Sequence, residues 1–323
     1  MEPIREPGAE AHAVHAAAGQ SAGHSGSAPP VDGKKGESRI KRWEVGDVKI
    51  TSIMETADRI PWAPLFPAET SEHYKKYAWL VPNFVTPQGQ IILAVQAFVL
   101  EIGDEKIVID TCVGNDRLRE MPQCSDLQTA FLEDFKSAGF DPDSITMVLC
   151  THLHFDHVGW NTRLEKGRWV PTFPNARYLF GRKEWAYWED VLKHNEHDVR
   201  HILDSVQPIL DAGLADFVET NHRVMDEIWL EPSHGHTPGH VSVRVSSRGQ
   251  EAIVTGDVFH NPIQLAEPEI CSVGCVDKEM SRQTRREFIK RYGDKPVRLF
   301  AVHFNEPVGR VVRDAQSWRF STE

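Results

Sequence analysis

Apolar and polar residues alternate over residues 48–54, the period-two rhythm of a half-buried strand. Two longer runs, 91–102 and 106–113, read as strands joined by a tight turn at Gly103-Asp104. The rhythm then changes. Over 126–138, Leu127, Ala130, Phe131 and Phe135 recur at helical spacing, and Gly139 supplies a stop. Asp141-Pro142 restarts the chain into the apolar run 145–150, short enough for a buried strand. Downstream the pattern predicts strands at 168–170 and 177–180, helices at 182–193 and 197–212, and strands at 223–229, 241–246 and 252–255. A helix over 278–292 and an apolar strand over 298–302 complete the series. Interleaved strands and helices without an internal repeat predict one α/β (α+β) domain over 39–323, with helices covering packed sheets.

Residues 1–38 differ. They are rich in Ala, Gly, Ser, Pro and Glu, and no aromatic residue precedes Trp43. So little apolar surface does not offset the entropy of ordering, so a disordered tail is expected. It lacks the basic start and apolar stretch of a secretory signal.

Composition narrows the function. Against 47 acidic residues stand 36 Lys and Arg, a net charge of −11, which argues against a nucleic-acid binder. No apolar run is long enough for a membrane span. Five cysteines are odd in number and too few for a disulfide scaffold, so a reducing, cytoplasmic setting is expected. Histidine is the unusual count, at 16. It is the commonest metal ligand and titrates near neutral pH.

The histidines are not spread evenly. The apolar run 145–150 feeds into Thr151-His152-Leu153-His154-Phe155-Asp156-His157. A loop leaving a buried strand can aim His152 and His154 into one cavity, while Asp156 and His157 reach a second position. Imidazole and carboxylate donors at this spacing suit a borderline cation such as zinc. Packing gives no reason for four such residues in six positions, since each buried unpaired costs desolvation energy. Further on, Ser233-His234-Gly235-His236-Thr237-Pro238-Gly239-His240 makes a sharp turn. Thr255-Gly256-Asp257 and Phe300-Ala301-Val302-His303 each end an apolar strand with a ligand-type residue.

In this order the motifs resemble those of the metallo-β-lactamase superfamily, over about residues 45–310. The resemblance implies an αββα sandwich: two facing mixed sheets, helices outside, and a metal site at one edge. It implies that His152, His154 and His236 hold a first metal, that Asp156, His157 and His303 hold a second, and that Asp257 bridges them. His234 and His240 are left to orient ligands. The implied cofactor is two divalent ions, zinc by default, with manganese, iron or cobalt as alternatives.

The bridging Asp257 counts against a dedicated β-lactamase. His157 and His236 are too close in sequence for the inserted domain of RNA-processing members, and too little chain follows His303 for a flavodoxin domain. Glyoxalase II members fit poorly in motif spacing and in their helical extension. The spacing is most similar to the methyl parathion hydrolase and lactonase branch, and the run from Val158 to Thr162 is a marker of that branch. His260, three positions after Asp257, matches methyl parathion hydrolase. Many acyl-homoserine lactonases carry tyrosine there, so His260 counts against the quorum-signal lactonases and leaves other lactones open.

The activity implied is hydrolysis of a small-molecule lactone, carboxylic ester or phosphotriester by a hydroxide held between two metals. Asp156 would move a proton, and His260 is a candidate for facing the substrate. Alternatives are a thioester or β-lactam hydrolase, or a non-hydrolytic di-metal redox or sensor protein.

Other features carry less. His194, His197 and His201 would share a helical face, expected to be solvated or turned to a partner. Cys271 and Cys275 lack the second pair of a zinc ribbon. Cys150 reads as a buried small hydrophobe. Trp62, Phe66, Tyr77, Trp79, Phe84, Trp160, Trp169 and Phe173 fit either core or pocket. The resemblance allows the proline-broken segment around Trp62 and Phe66 to shape the pocket or a homodimer contact.

Overall fold

The computed structural model describes residues 39–194 and 199–323. The proposed tail, with His12, His15 and His24, and residues 195–198, which include His197 and the expected start of the 197–212 helix, lie outside the described residues. The first half of the described chain builds β1 (Ile40–Val45), β2 (Val48–Ile60), β3 (Ile91–Ile102), β4 (Glu105–Ile109), β5 (Met147–Leu149), β6 (Thr162–Glu165), β7 (Arg168–Pro171), β8 (Arg177–Gly181) and β9 (Ala215–Val218). The second half builds β10 (Ile228–Pro232), β11 (Val241–Ser247), β12 (Gln250–Val254), β13 (Val297–Phe300), β14 (Val308–Asp314) and β15 (Ser317–Thr322). One mixed sheet has the order β1-β2-β3-β4-β5-β8-β9 and the other runs β10 to β15 in sequence, while β6 and β7 form a small ribbon.

Period-two patterning assigns each strand residue to a layer. Ile107 and Ile109 of β4 meet Val243, Val245 and Phe300 of the second sheet, and together they form the core between the sheets. Val108, one position away, points outward to Phe131 and Phe135 of α1 (Phe131–Ser137). On the far side, Ile253 and Leu299 pack against Phe288, Ile289 and Tyr292. These three belong to α7 (Lys278–Tyr292), capped by the Asp277 side chain on the Met280 amide. The result is the αββα arrangement: α1, α3 (Arg182–His194), α4 (Arg200–Ser205) and α5 (Gln207–Asp211) cover the first sheet, and α6 (Ile263–Ala266) and α7 cover the second. Trp62, Phe66, Phe84, Trp160 and Phe173 are buried in these cores. No helix among the described residues is long and apolar enough to cross a membrane.

Several elements differ from the sequence pattern. The helix expected over 126–138 begins only at Phe131. Asp126 has a left-handed backbone, and the Thr129 amide and hydroxyl are engaged by Asn115 and Glu55 rather than by a helical turn. The helix expected over 197–212 breaks at Val206, with Pro208 in the first turn of α5. The strand expected over 106–113 stops at Ile109, because Asp110 and Cys112 take left-handed conformations and turn the chain toward the metal-type loop.

That loop is braced from behind. A bulge between Met54 and Thr56 of β2 turns Glu55 inward, the re-aiming that bulges provide. Its carboxylate accepts from the Val113 amide (2.7 Å) and the Trp160 indole (2.7 Å). The Trp160 ring stacks on Phe131 at 5.6 Å. Gly159 lies against the same turn, and a Cβ there would fall 1.9 Å from the Val113 carbonyl oxygen. Gly159→Ala is therefore expected to cost about 3 kcal/mol or more, read as a lower urea midpoint by circular dichroism. An unchanged midpoint would contradict this packing.

Candidate metal centre

Parallel pairing of β4, β5 and β8 ends three strands at one edge, and the loops leaving them carry the polar residues. After β5 the chain passes through Thr151, His152 and His154 into one turn of helix, α2 (Phe155–Val158), which carries Asp156 and His157. Asp110, at the end of β4, fixes this loop. Its Oδ1 accepts from the Thr151 amide (2.8 Å), and its Oδ2 accepts from the Thr151 hydroxyl (2.9 Å) and lies 2.8 Å from His157 Nδ1.

The other sheet supplies the rest. His236 sits in the turn between β10 and β11. Asp257 sits in the 3-10 turn after β12, and its amide donates to His240 Nε2 (2.8 Å). His240 Nδ1 in turn meets the Ser233 hydroxyl at 2.8 Å. His303 follows β13 and holds its Nδ1 2.8 Å from the Ala94 carbonyl of β3. The first sheet thus anchors a residue of the second.

All seven candidate residues come together, in two groups. His152, His154, His236 and Asp257 offer atoms within 4.8 Å of one another, and so do Asp156, His157 and His303. His154 Nδ1 is 3.0 Å from His152 Nε2 and 2.8 Å from His236 Nε2. The Asp257 carboxylate lies between the groups. Its Oδ2 is 3.1 Å from His236 Nε2 and 3.7 Å from His152 Nε2, while Oδ1 is 3.0 Å from His303 Nε2 and 3.2 Å from His157 Nε2. Asp156 faces the second group, 3.6 Å from His303 Nε2 and 3.8 Å from His157 Nε2.

The electrostatics fit cations. Burial holds His152 and His236 well below the usual imidazole range and His154 down to about 4, so all three are neutral donors. Burial also opposes charge on His157 and His303, but Asp257 with Asp110 and Asp156 raises the first, and Asp257 and Asp156 raise the second. Burial alone would raise Asp257; the surrounding histidines instead hold it well below the usual carboxylate range. Asp257 Oδ1 and His157 Nε2 are buried and make no directed hydrogen bond. Inward-facing imidazole nitrogens and carboxylate oxygens this close together are the donor set of a borderline divalent ion.

His260 joins the cluster. Its Nε2 is 3.3 Å from Asp257 Oδ2, and its ring stacks on His303 at 5.7 Å. His240 supports Asp257, as an orienting residue should. His234 does not enter the centre; its Nδ1 lies 3.3 Å from Lys183 Nζ. Of the helical trio, only the reading of His201 is corrected. His194 is exposed on α3 and bonds the Asp190 carbonyl, whereas His201 is buried against Trp188 at 4.7 Å rather than solvated. Both Trp188 and His201 line a cavity of about 990 Å³ that opens on His154.

Sequence reasoning missed three supports: Asp110, Glu184 and Cys275. Cys275 Sγ lies 3.5 Å from His236 Nδ1, serving the outer nitrogen of that imidazole as Asp110 serves His157. Only Asp110, an acid closing an apolar strand, left a local signal. All five cysteines are free.

The model of the metallo-beta-lactamase superfamily matches residues 92–309. An N-acyl homoserine lactonase of Bacillus thuringiensis is 24% identical over 237 residues, 68% of this chain and 85% of its own. One from a Bacillus species is 23% identical over 206 residues, 58% of this chain and 74% of its own. Among solved structures, the hydrolase AbOPH of the beta lactamase superfamily superposes with a TM-score of 0.72 at 22% identity, covering 89% of this chain and 98% of that one. The dizinc quorum-quenching lactonase AidC, with a product bound, gives 0.72 at 21%, covering 88% and 97%. Fold, motif order and family match agree: the chain belongs to the metallo-beta-lactamase superfamily.

Proposed function

We propose that this chain is a dinuclear-metal hydrolase that opens lactone rings, taking up water to give a hydroxy acid. The observation that carries this reading is the Asp257 carboxylate between two imidazole groups, with one oxygen toward each. His152, His154 and His236 are the ligands proposed for a first ion, Asp156, His157 and His303 for a second, and Asp257 for both. Zinc suits this set best; manganese, iron and cobalt share its chemistry. The lactonase relatives support a lactone over an unstrained ester.

The chemistry that divalent ions held by these residues would supply is acidification of water to near neutral pH and polarisation of an acyl or phosphoryl oxygen. The protein's own groups do the rest. Asp156, partly open to solvent, takes the proton of the attacking water and returns it to the leaving alkoxide. His260, whose Nε2 lies 3.3 Å from Asp257 Oδ2, is the proposed donor to the substrate oxygen that gains charge. Trp188 packs edge-on against His154 at 5.7 Å and walls the cavity, which has room for an acyl substituent. His260, the residue found at this place in methyl parathion hydrolase, favours a phosphotriester as the second substrate class.

Asp257→Asn is expected to reduce zinc from two ions to fewer than one per chain, read by plasma emission spectrometry. Lactone kcat/KM should fall by more than the roughly 100-fold typical of losing an outer partner. Retention of both ions would remove Asp257 from the ligand set. His260→Phe should keep both ions but lower kcat about 100- to 1,000-fold, the loss expected for one oxyanion donor. Unchanged turnover would make His260 a rim residue. A panel of lactones, aryl esters, phosphotriesters, thioesters and β-lactams should rank lactones first by kcat/KM. A thioester or β-lactam at the head of the ranking would reject the lactone assignment.

A further inference from the structure

One buried carboxylate near the centre touches neither group of candidate ligands. Glu184 stands in the first turn of α3, 1% exposed. Its partners are four hydrogen-bond donors, and none is a cation. Oε1 accepts from the Leu153 amide (3.1 Å) and the Trp188 indole (3.0 Å). Oε2 accepts from the Thr237 hydroxyl (2.7 Å) and the Gly239 amide (3.0 Å).

The positions of these donors matter. Leu153 lies between His152 and His154, and Thr237 directly follows His236. Gly239 precedes His240, which accepts from the Asp257 amide. Trp188 is the side chain packed on His154. The two loops are far apart in sequence and belong to different sheets, and Glu184 holds one with each oxygen. The approach is close: a Cβ on Gly239 would fall 2.2 Å from the Glu184 amide nitrogen, so residue 239 must lack a side chain. The second group is held otherwise, His157 by Asp110 and His303 by the Ala94 carbonyl.

We infer that Glu184 is a positioning residue that locks the His152–His154 loop and the His236 turn into one unit, so that the first ion's ligand set depends on it and the second's does not. This rests on the two-ion reading above. The acceptor-only character of the carboxylate is what the site uses. Glutamine at 184 keeps the size but turns an NH₂ donor toward one of the two donor pairs, which must then open.

The test uses the full chain, stripped of metal and titrated with zinc against a chromophoric chelator. Glu184→Gln should weaken the first site about 10- to 100-fold and leave the second within about threefold. In a His236→Ala background, where the first site is already broken, the same substitution should change nothing further. Thr237→Val, which removes one donor and spares the carboxylate, should weaken the first site in the same direction by less, and it serves if Glu184→Gln fails to fold. In the metal-free protein, hydrogen exchange at the Leu153 and Gly239 amides should speed up in Glu184→Gln. First-site affinity within about threefold of the parent in the folded variants, or equal weakening of both sites, overturns the inference. Fewer than two ions on the parent chain overturns the two-ion reading and the inference with it.

Discussion

The Asp257 carboxylate is the point on which the rest of the arrangement depends. Imidazole nitrogens of His303, His236, His157, His260 and His152 lie 3.0 to 3.7 Å from its two oxygens. In a dry interior such a gathering is costly unless the charges balance. Six imidazoles and two carboxylates this close together are a donor set for cations, not a packed core. The fold meets this constraint by ending strands of both sheets at one edge and cross-tying their loops. The Asp257 amide is fixed by His240, and His303 is fixed by the carbonyl of Ala94 across the sandwich.

Around this centre stand three buried acids that are not candidate ligands. Glu55 braces the turn at Val113 and Trp160, Asp110 fixes Thr151 and His157, and Glu184 joins the loops of Leu153 and Thr237. Burial pushes the Glu55 and Glu184 carboxyls up, and the donors around each pull them back. A carboxylate in such a place accepts several backbone and side-chain donors at once, which a neutral side chain of the same size does not do. The negative charge they add is what a pair of divalent cations would compensate.

What was legible in the sequence follows from the range of the interactions. His152, His154, Asp156 and His157 sit in six consecutive positions, so their chemistry shows as spacing. Asp257 and His303 end apolar strands, so strand patterning located them. Glu184 and Cys275 were invisible because the metal-loop residues they hold lie tens of residues away in sequence. The helix over 126–138 was overestimated because Asn115 and Glu55, distant in sequence, capture Thr129. His201 was misread because helical spacing says which residues share a face, but not that Trp188 covers it.

The most direct measurement is anomalous X-ray scattering at the zinc edge from crystals of the zinc-loaded protein. The account predicts two peaks about 3.5–4 Å apart. One should lie about 2.0–2.1 Å from His152 Nε2, His154 Nδ1 and His236 Nε2, the distance of a zinc–imidazole bond. The other should lie at the same distance from His157 Nε2 and His303 Nε2, with an oxygen of Asp257 reaching each ion. A single peak, or a pair lying away from Asp257, would contradict it.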